Sequence, residues 1–493
     1  MAKHNQVQLI TYVDRLTSGG IQDLQNLLHN ELEGVFGGAH LLPFYFPIDG
    51  EDAGFDPIDH TQIDSRLGSW QDVKQLGHHY QVMADMIVNH MSAQSPEFLD
   101  VIEKGTQSVH YDLFLTKDKI FGNDETQTDI EKIYRPRPTP CFTPIQLKTG
   151  ESKAFWTTFT ANQIDIDINS DQGKAYLERI LDTFASNNIS LIRLDAAGYA
   201  VKKAGTNCFM LEDTFAFIND LSERAKQRGM QCLVEIHSHY QTQCEIAERC
   251  DLVYDFALPP LVLHTLFNQD AAPLAKWLDI SPRNCVTVLD THDGIGIIDV
   301  GKHGDKPGLL NDAQIDALVE QIHVRSQGQS RQATGGAASN LDLYQVNCTY
   351  YNALGADDKL YLIARALQFF SPGLPQVYYT GLLAIENDMA LLAKTQVGRD
   401  INRAYLDLDQ VKQQLTLPVV QGLIKLIKMR NTHEAFNGSF SHQLDDGQLC
   451  LCWQEQNSQA KLVLDTNTLN CFIELNHASG DIDVITIDDM LAA

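Results

Sequence analysis

No run of apolar residues in this chain approaches the ~18 to 20 needed to span a bilayer. The opening stretch "MAKHNQVQLITYVDRL" holds no apolar segment of signal-peptide length. Membrane insertion and secretion are therefore disfavoured, and a cytoplasmic enzyme is expected. Basic residues are scarce: 37 Lys and Arg stand against 64 Asp and Glu, giving a formal charge of −27 at pH 7. Nucleic acid and anionic membrane would be repelled by such a surface, so neither is expected as a partner. The acidic residues are spread along the chain and read as solubility rather than as a binding tail. CxxC spacing is also missing. The ten cysteines are scattered, the closest two being Cys450 and Cys452, which reads as buried thiols and not as disulfides or a zinc site. No P-loop or Rossmann glycine pattern occurs, and "DTHDG" places His292 where a calcium loop needs Asp or Asn. "HSHY" (237–240) offers a histidine pair without an evident third ligand. No metal and no cofactor are expected. Internal repeats and low-complexity tracts are absent as well.

What the chain does have is a series of short apolar runs: "VQLITY" (7–12), "AHLLPF" (39–44), "VMADMIV" (82–88), "SLIRLD" (190–195), "QCLVEI" (231–236), "LVYDFA" (252–257), "CVTVLD" (285–290) and "PQVYY" (375–379). Amphipathic stretches follow or precede several of them, with Leu24, Leu27, Leu28 and Leu32 on one face and Tyr176, Leu177, Ile180, Leu181 and Phe184 on another. Eight strands with helical connections predict an α/β chain folded as a (β/α)8 barrel. Two gaps are too long for simple loops and follow the third and seventh strands, where barrel enzymes build their sites. After "HEAFNGSFSH" the pattern changes to alternating short strands. The expected organisation is a barrel in three pieces (1–90, 166–293, 356–436), an inserted domain at 91–165, a second insertion at 294–355 and a small β domain at 437–493.

"LIRLDAAGYA" (191–200) raises a chemical question. Arg193 and Asp195 lie two apart in a strand, so they share a face of an otherwise apolar run. Burying both costs several kcal/mol unless they pair or do chemistry. Glu235 ends "CLVE" and Asp293 follows "VTVLDTH", so acidic residues stand after the fourth, fifth and seventh strands. A single acidic residue there is most often a helix cap or an ion-pair partner. Three of them, with Arg193, His90 and His292 at similar depth, point to an active site.

"DMIVNH" (85–90), "IRLDAAG" (192–198), "LVEIHS" (233–238) and "VLDTHD" (288–293) occur in the order of four stretches shared by the α-amylase superfamily, which the chain resembles. "VQLITYVDRL", "DAGFDPIDH", "IYRPRP", "ASNLDLYQVN" and "GRDINR" are similar to its sucrose phosphorylase branch, nearly end to end and more weakly after about residue 437. The resemblance implies reversible conversion of sucrose and inorganic phosphate into α-D-glucose 1-phosphate and D-fructose by a retaining double displacement. Asp195 would be the nucleophile and Glu235 the acid/base, its protonated form favoured by the Asp195 carboxylate beside it. Asp293 would stabilise the oxocarbenium-like transition state. Asp52, Phe55, His90, Gln163, Arg193, His292 and Arg399 would hold the glucosyl unit. Tyr134, Arg137, Tyr199, His237, Asp342, Leu343, Tyr344 and Gln345 would meet fructose and phosphate.

In so acidic a chain phosphate needs a local cation, and "YRPRP" supplies arginines on backbone biased toward extension by proline. The small residues of "ATGGAASNLDLYQVN" (333–347) suit a segment that alternates between a fructose and a phosphate arrangement. Within the same branch, phosphorylases of sucrose 6-phosphate, glucosylglycerate or glucosylglycerol are alternatives, against which "DLYQ" (342–345) argues. A transglucosidase or hydrolase is disfavoured by the "YRPRP" arginines, and a non-catalytic barrel by the intact acidic residues. A homodimer is compatible with the sequence.

Overall fold

Each of the eight apolar runs forms a barrel strand. The computed structural model describes residues 5–50, 53–122, 127–135, 139–334 and 345–492. Its strands are β1 (Gln8–Thr11), β2 (Gly38–Leu41), β3 (Gln81–Ile87), β4 (Ile189–Asp195), β5 (Gln231–Val234), β6 (Leu252–Asp255), β7 (Cys285–Thr287) and β8 (Leu374–Tyr378). They close in the order β1-β8-β7-β6-β5-β4-β3-β2, the barrel expected from the sequence. Parallel strands buried on both faces need near-continuous apolar runs, which is why these were legible. A five-stranded antiparallel sheet follows: β9 (Ser439–Asp445), β10 (Gln448–Glu455), β11 (Ser458–Asp465), β12 (Asn470–Asn476) and β13 (Ile482–Thr486), paired in sequence order. Among the described residues no helix is long and apolar enough to cross a membrane.

Contacts divide the chain into two units, Leu41–Ile236 with Arg249–Leu252, and Met1–His40 with His237–Glu248 and Val253–Ala493. In the first, β4 runs parallel between β3 and β5, with Arg193 opposite Asp85 on one side and Leu233 on the other. Helix α1 (Asp171–Ser186) precedes β4 and is capped by the Ser170 hydroxyl, which accepts from the Gly173 amide. Its Tyr176, Leu177, Ile180, Leu181 and Phe184 are buried, each apolar side chain contributing about 1.5–3 kcal/mol. Between β3 and α1 lie a hairpin (Phe142–Gln146, Ser152–Trp156) and a short antiparallel pair, His90–Ser92 against Gln163–Asp165. Leu115, Phe121, Ile133, Cys141, Trp156 and Cys208 form a separate small core here.

In the second unit β1, β8, β7 and β6 pair in parallel. Helix α2 (Asp358–Phe370) is buried along its whole length after its first two residues, and α3 (Pro418–Thr432) buries Leu423, Leu426 and Ile427. Trp453 of β10 donates through Nε1 to the Phe370 carbonyl at 2.8 Å, fastening the C-terminal sheet to α2.

Candidate active site

In the first unit the site is built by the register of β4. Arg193 is 3% exposed and Asp85, opposite it on β3, is fully buried, with Nη1 to Oδ1 at 2.5 Å. The same Nη1 reaches Oδ1 of Asp195 at 3.0 Å, and Nη2 stands 3.8 Å from Oε2 of Glu235. Arg193 and Asp195 therefore do point the same way, as their spacing predicts. One guanidinium holds two carboxylates in fixed directions. The Phe55 ring lies under it at 5.5 Å. Directly after Asp195 the chain turns sharply, because Ala196 adopts a left-handed conformation (φ 56°). That conformation costs an L-residue roughly 1–2 kcal/mol and ends the strand at the carboxylate.

His90 and Gln163 meet through the short antiparallel pair, with ring Nε2 and amide Nε2 3.0 Å apart, and His90 Nε2 also 3.0 Å from the Phe55 carbonyl oxygen. Tyr199 and Tyr134 belong to an aromatic row: their rings stack at 6.2 Å with planes 13° apart. Phe209 packs on both, and Phe159 joins Tyr199 to His90 at 5.3 Å in each direction. A Cβ on Gly198 would lie 2.8 Å from the Phe209 ring, so the glycine of "IRLDAAG" makes room for this row.

In the second unit the candidate residues are carried by loops. β7 ends at Thr287, six residues before Asp293, so this carboxylate has no strand register of its own. The "GRDINR" segment holds it. Arg399 Nη1 is 2.7 Å from Asp293 Oδ1 and Arg403 Nη2 is 3.7 Å from it. Asn402 donates to the Asp293 carbonyl at 2.8 Å and to the Thr291 carbonyl at 3.2 Å, while Arg403 Nε donates to the His292 carbonyl at 2.8 Å. His292 Nε2 stands 3.7 Å from Asp293. Beneath the loop, Asp290 pairs with buried Arg365 at 2.5 Å, and a Cβ on Gly381 would collide with both.

His237 is buried, stacked on Phe256 at 3.7 Å, with Nδ1 2.9 Å from Asp299. Gln243 donates to the other Asp299 oxygen at 2.7 Å, and the Ser238 amide donates to it at 3.1 Å. On the other side His237 Nε2 is 3.0 Å from the Gln345 amide, whose Oε1 accepts from Arg399 at 3.2 Å. An unbroken polar chain thus runs from Asp299 through His237, Gln345 and Arg399 to Asp293.

Asp52, Arg137, Asp342, Leu343 and Tyr344 lie outside the described residues, as does most of the 333–347 segment. Asp85, Asp299, Phe159, Phe209 and Arg403 were not found from sequence. Asp85 lies inside the quoted "DMIVNH", but only the register between β3 and β4 reveals its partner. Asp255 shows the opposite outcome for an acidic strand end. It accepts from the Leu258 amide and Trp277 Nε1, both at 3.0 Å, and burial pushes its carboxyl up to about 6, a capping role rather than a catalytic one.

The family "Alpha amylase, catalytic domain" matches residues 34–250. Over 462 residues the chain is 59% identical to a sucrose phosphorylase of Agrobacterium vitis, covering 93% of this chain and 95% of that one. It is 50% identical to a sucrose phosphorylase of Bifidobacterium adolescentis, covering 97% of each. The crystal structure of sucrose 6F-phosphate phosphorylase from Thermoanaerobacter thermosaccharolyticum superposes with a TM-score of 0.90 at 37% identity, covering 99% of this chain and 98% of that one. The chain belongs to the sucrose phosphorylase family, glycoside phosphorylases built on an α-amylase-type barrel.

Proposed function

We propose that the protein catalyses the reversible phosphorolysis of sucrose to α-D-glucose 1-phosphate and D-fructose through a covalent glucosyl ester on Asp195. The observation that carries this reading is the Asp85–Arg193–Asp195 arrangement. A carboxylate that must attack carbon has to be ionised and aimed, and the buried guanidinium does both. In the first displacement an Asp195 oxygen bonds to the anomeric carbon as the bond to the fructosyl oxygen breaks, and Glu235 gives that oxygen its proton. In the second, a phosphate oxygen bonds to the same carbon as the ester breaks, and Glu235 takes the phosphate proton. Two inversions give retention. Asp293, held by Arg399 and Arg403, stabilises the positive charge that develops on the sugar in the transition state of each step.

Phe55, His90, Gln163 and His292, together with Asp52 and Arg399, hold the glucosyl unit in this reading. Tyr134, Tyr199, His237 and Gln345 border the acceptor, with Arg137 and Tyr344 receiving phosphate and Asp342 and Leu343 meeting fructose. Compact polar residues at the sugar and a basic loop for the anion suit a site that releases its intermediate to phosphate rather than water. Purified protein incubated with sucrose and phosphate should yield glucose 1-phosphate of α configuration and fructose in equal amounts. Free glucose as the sole glucosyl product, or the β anomer, would contradict the proposal.

A further inference from the structure

Asp299 has no part in the chemistry above, yet it lies fully buried beside His237, whose side chain is 2% exposed. Its Oδ1 accepts from the Ser238 amide at 3.1 Å and from Gln243 Nε2 at 2.7 Å. The same Gln243 nitrogen donates to the Ser238 carbonyl at 2.9 Å, and a carbonyl and a carboxylate together require an NH2 group there. Oδ2 of Asp299 stands 2.9 Å from His237 Nδ1. Two short stretches bring these groups together. Ile295–Gly296 pairs antiparallel with Gln345–Val346, which sets Gly296 opposite Gln345. A Cβ on Gly296 would lie 2.2 Å from Asp299 Oδ2 and 3.1 Å from His237 Nδ1, so the glycine leaves room for the carboxylate to reach the ring.

The contacts run in one direction. A guanidinium only donates, so the Gln345 atom 3.2 Å from Arg399 Nη2 is Oε1, and the NH2 group of the same amide faces His237 Nε2 at 3.0 Å. Nε2 therefore accepts, the single ring proton sits on Nδ1, and it is donated to Asp299. Both ring nitrogens are then engaged within the protein, and what the ring does is orient Gln345. The ring is itself held by stacking on Phe256 at 3.7 Å. The contacts to His237 and Arg399 use one N–H and one oxygen lone pair of the Gln345 amide. One N–H and one lone pair remain, in directions the chain has already set.

We propose that Asp299 is a positioning residue for the acceptor site. By holding the His237 proton on Nδ1 it fixes the Gln345 carboxamide with its NH2 group toward His237 and its oxygen toward Arg399, and so sets which donor and which acceptor fructose meets. This rests on the placement of Gln345 at the acceptor proposed above. Asp299→Asn keeps the shape and reverses the chain. Ser238 and Gln243 hold the oxygen of the substituted amide, its NH2 group faces Nδ1, and the His237 proton moves to Nε2. Gln345 must then turn its oxygen to the ring and its NH2 group to Arg399, which sets two donors face to face. Gly296→Ala keeps the carboxylate but pushes it off the ring. Histidine-selective 15N labelling, with His237→Gln to assign the resonance, reads the tautomer. The wild type should show Nδ1–H, Asp299→Asn should show Nε2–H, and Gly296→Ala should show a mixture. In sucrose synthesis from glucose 1-phosphate the KM for fructose should rise about tenfold or more in both variants, the effect of a hydrogen bond lost at a buried site. Ester formation from α-glucosyl fluoride involves no fructose, so its kcat/KM should stay within about twofold of wild type. An Nε2–H signature in the wild type would overturn the proposal, as would a fructose KM within about twofold of wild type in either folded variant. Equal loss of both activities would make Asp299 a structural residue only and overturn it as well. Should the wild type make no sucrose while the His237 signature still follows Asp299, the positioning stands and the substrate reading fails.

Discussion

Asp195 and Asp293 are both proposed to act on one glucosyl unit, but the fold positions them by different means. Asp195 is the last residue of β4, and its direction follows from strand register. Arg193 two residues earlier and Asp85 on the neighbouring strand complete the arrangement with only three side chains. Asp293 lies on a loop six residues beyond β7 and is placed by a clamp of Arg399, Asn402 and Arg403 on its side chain and backbone. A strand supplies direction through its backbone ladder. A loop must borrow it from another segment, here one more than a hundred residues later in the chain. Damage to the strand residue should therefore stay local, whereas the loop residue should be disabled from a distance.

The largest effect is expected from the strand residue itself. Asp195→Asn should abolish both phosphorolysis and hydrolysis, by several powers of ten in turnover, because both pass through the same ester. Thermal unfolding should change little, and turnover above about a hundredth of wild type would remove Asp195 as nucleophile. On the loop side Arg403→Met leaves Asp293 and Arg399 in place but releases the His292 carbonyl. A misplaced catalytic group typically costs on the order of 10²-fold, and that loss in kcat is expected here although Arg403 is assigned no direct contact with substrate. Unchanged kcat would show that the loop holds its own shape.

Arg137→Ala tests the anion-binding side of the account. Formation of the ester from sucrose should survive. Capture by phosphate should weaken by roughly 10- to 150-fold, the worth of one charge-assisted hydrogen bond. The ratio of free glucose to glucose 1-phosphate should rise accordingly at subsaturating phosphate and fall again as phosphate is added. A constant ratio across the titration would place the anion site elsewhere.

The smallest effect concerns the support of the strand side. His60 Nε2 accepts from the Ile87 amide at 3.1 Å, so its Nδ1 proton goes to Tyr176, and burial holds the ring's pKa down to about 3. The unfolded chain binds a proton near pH 6.5 and the folded chain does not, so stability should fall as pH drops from 6.5 toward 3. The slope should be at most about 1.4 kcal/mol per pH unit. Denaturation midpoints between pH 7.5 and about 5 should show this slope, and His60→Gln should flatten it.

The eight barrel strands were legible because parallel strands buried on both faces leave uninterrupted apolar runs, and Arg193, Asp195 and Glu235 stood out as charges within or at the ends of those runs. What was not legible depends on pairing between distant segments. Asp85 becomes a partner only when β3 and β4 are set in register, and Asp299 meets His237 only across a span of some sixty residues. Phe159 and Phe209 are ordinary apolar residues until the row with Tyr134 and Tyr199 is assembled. Of the adjacent Lys202 and Lys203 only the second is exposed, because Asp165, the first one's partner, comes from a distant segment.

The proposed reaction turns on a glucosyl ester on Asp195, which trapping would reveal. Glu235→Gln should still accept glucose from α-glucosyl fluoride, whose leaving group needs little protonation, but should be slow to release it for want of a base. Intact-mass measurement followed by peptide mapping should find one glucosyl unit on the peptide carrying Asp195. Azide, which needs no base, should discharge it as the α-glucosyl azide. No adduct, an adduct on a different carboxylate, or a β-configured azide would contradict the account.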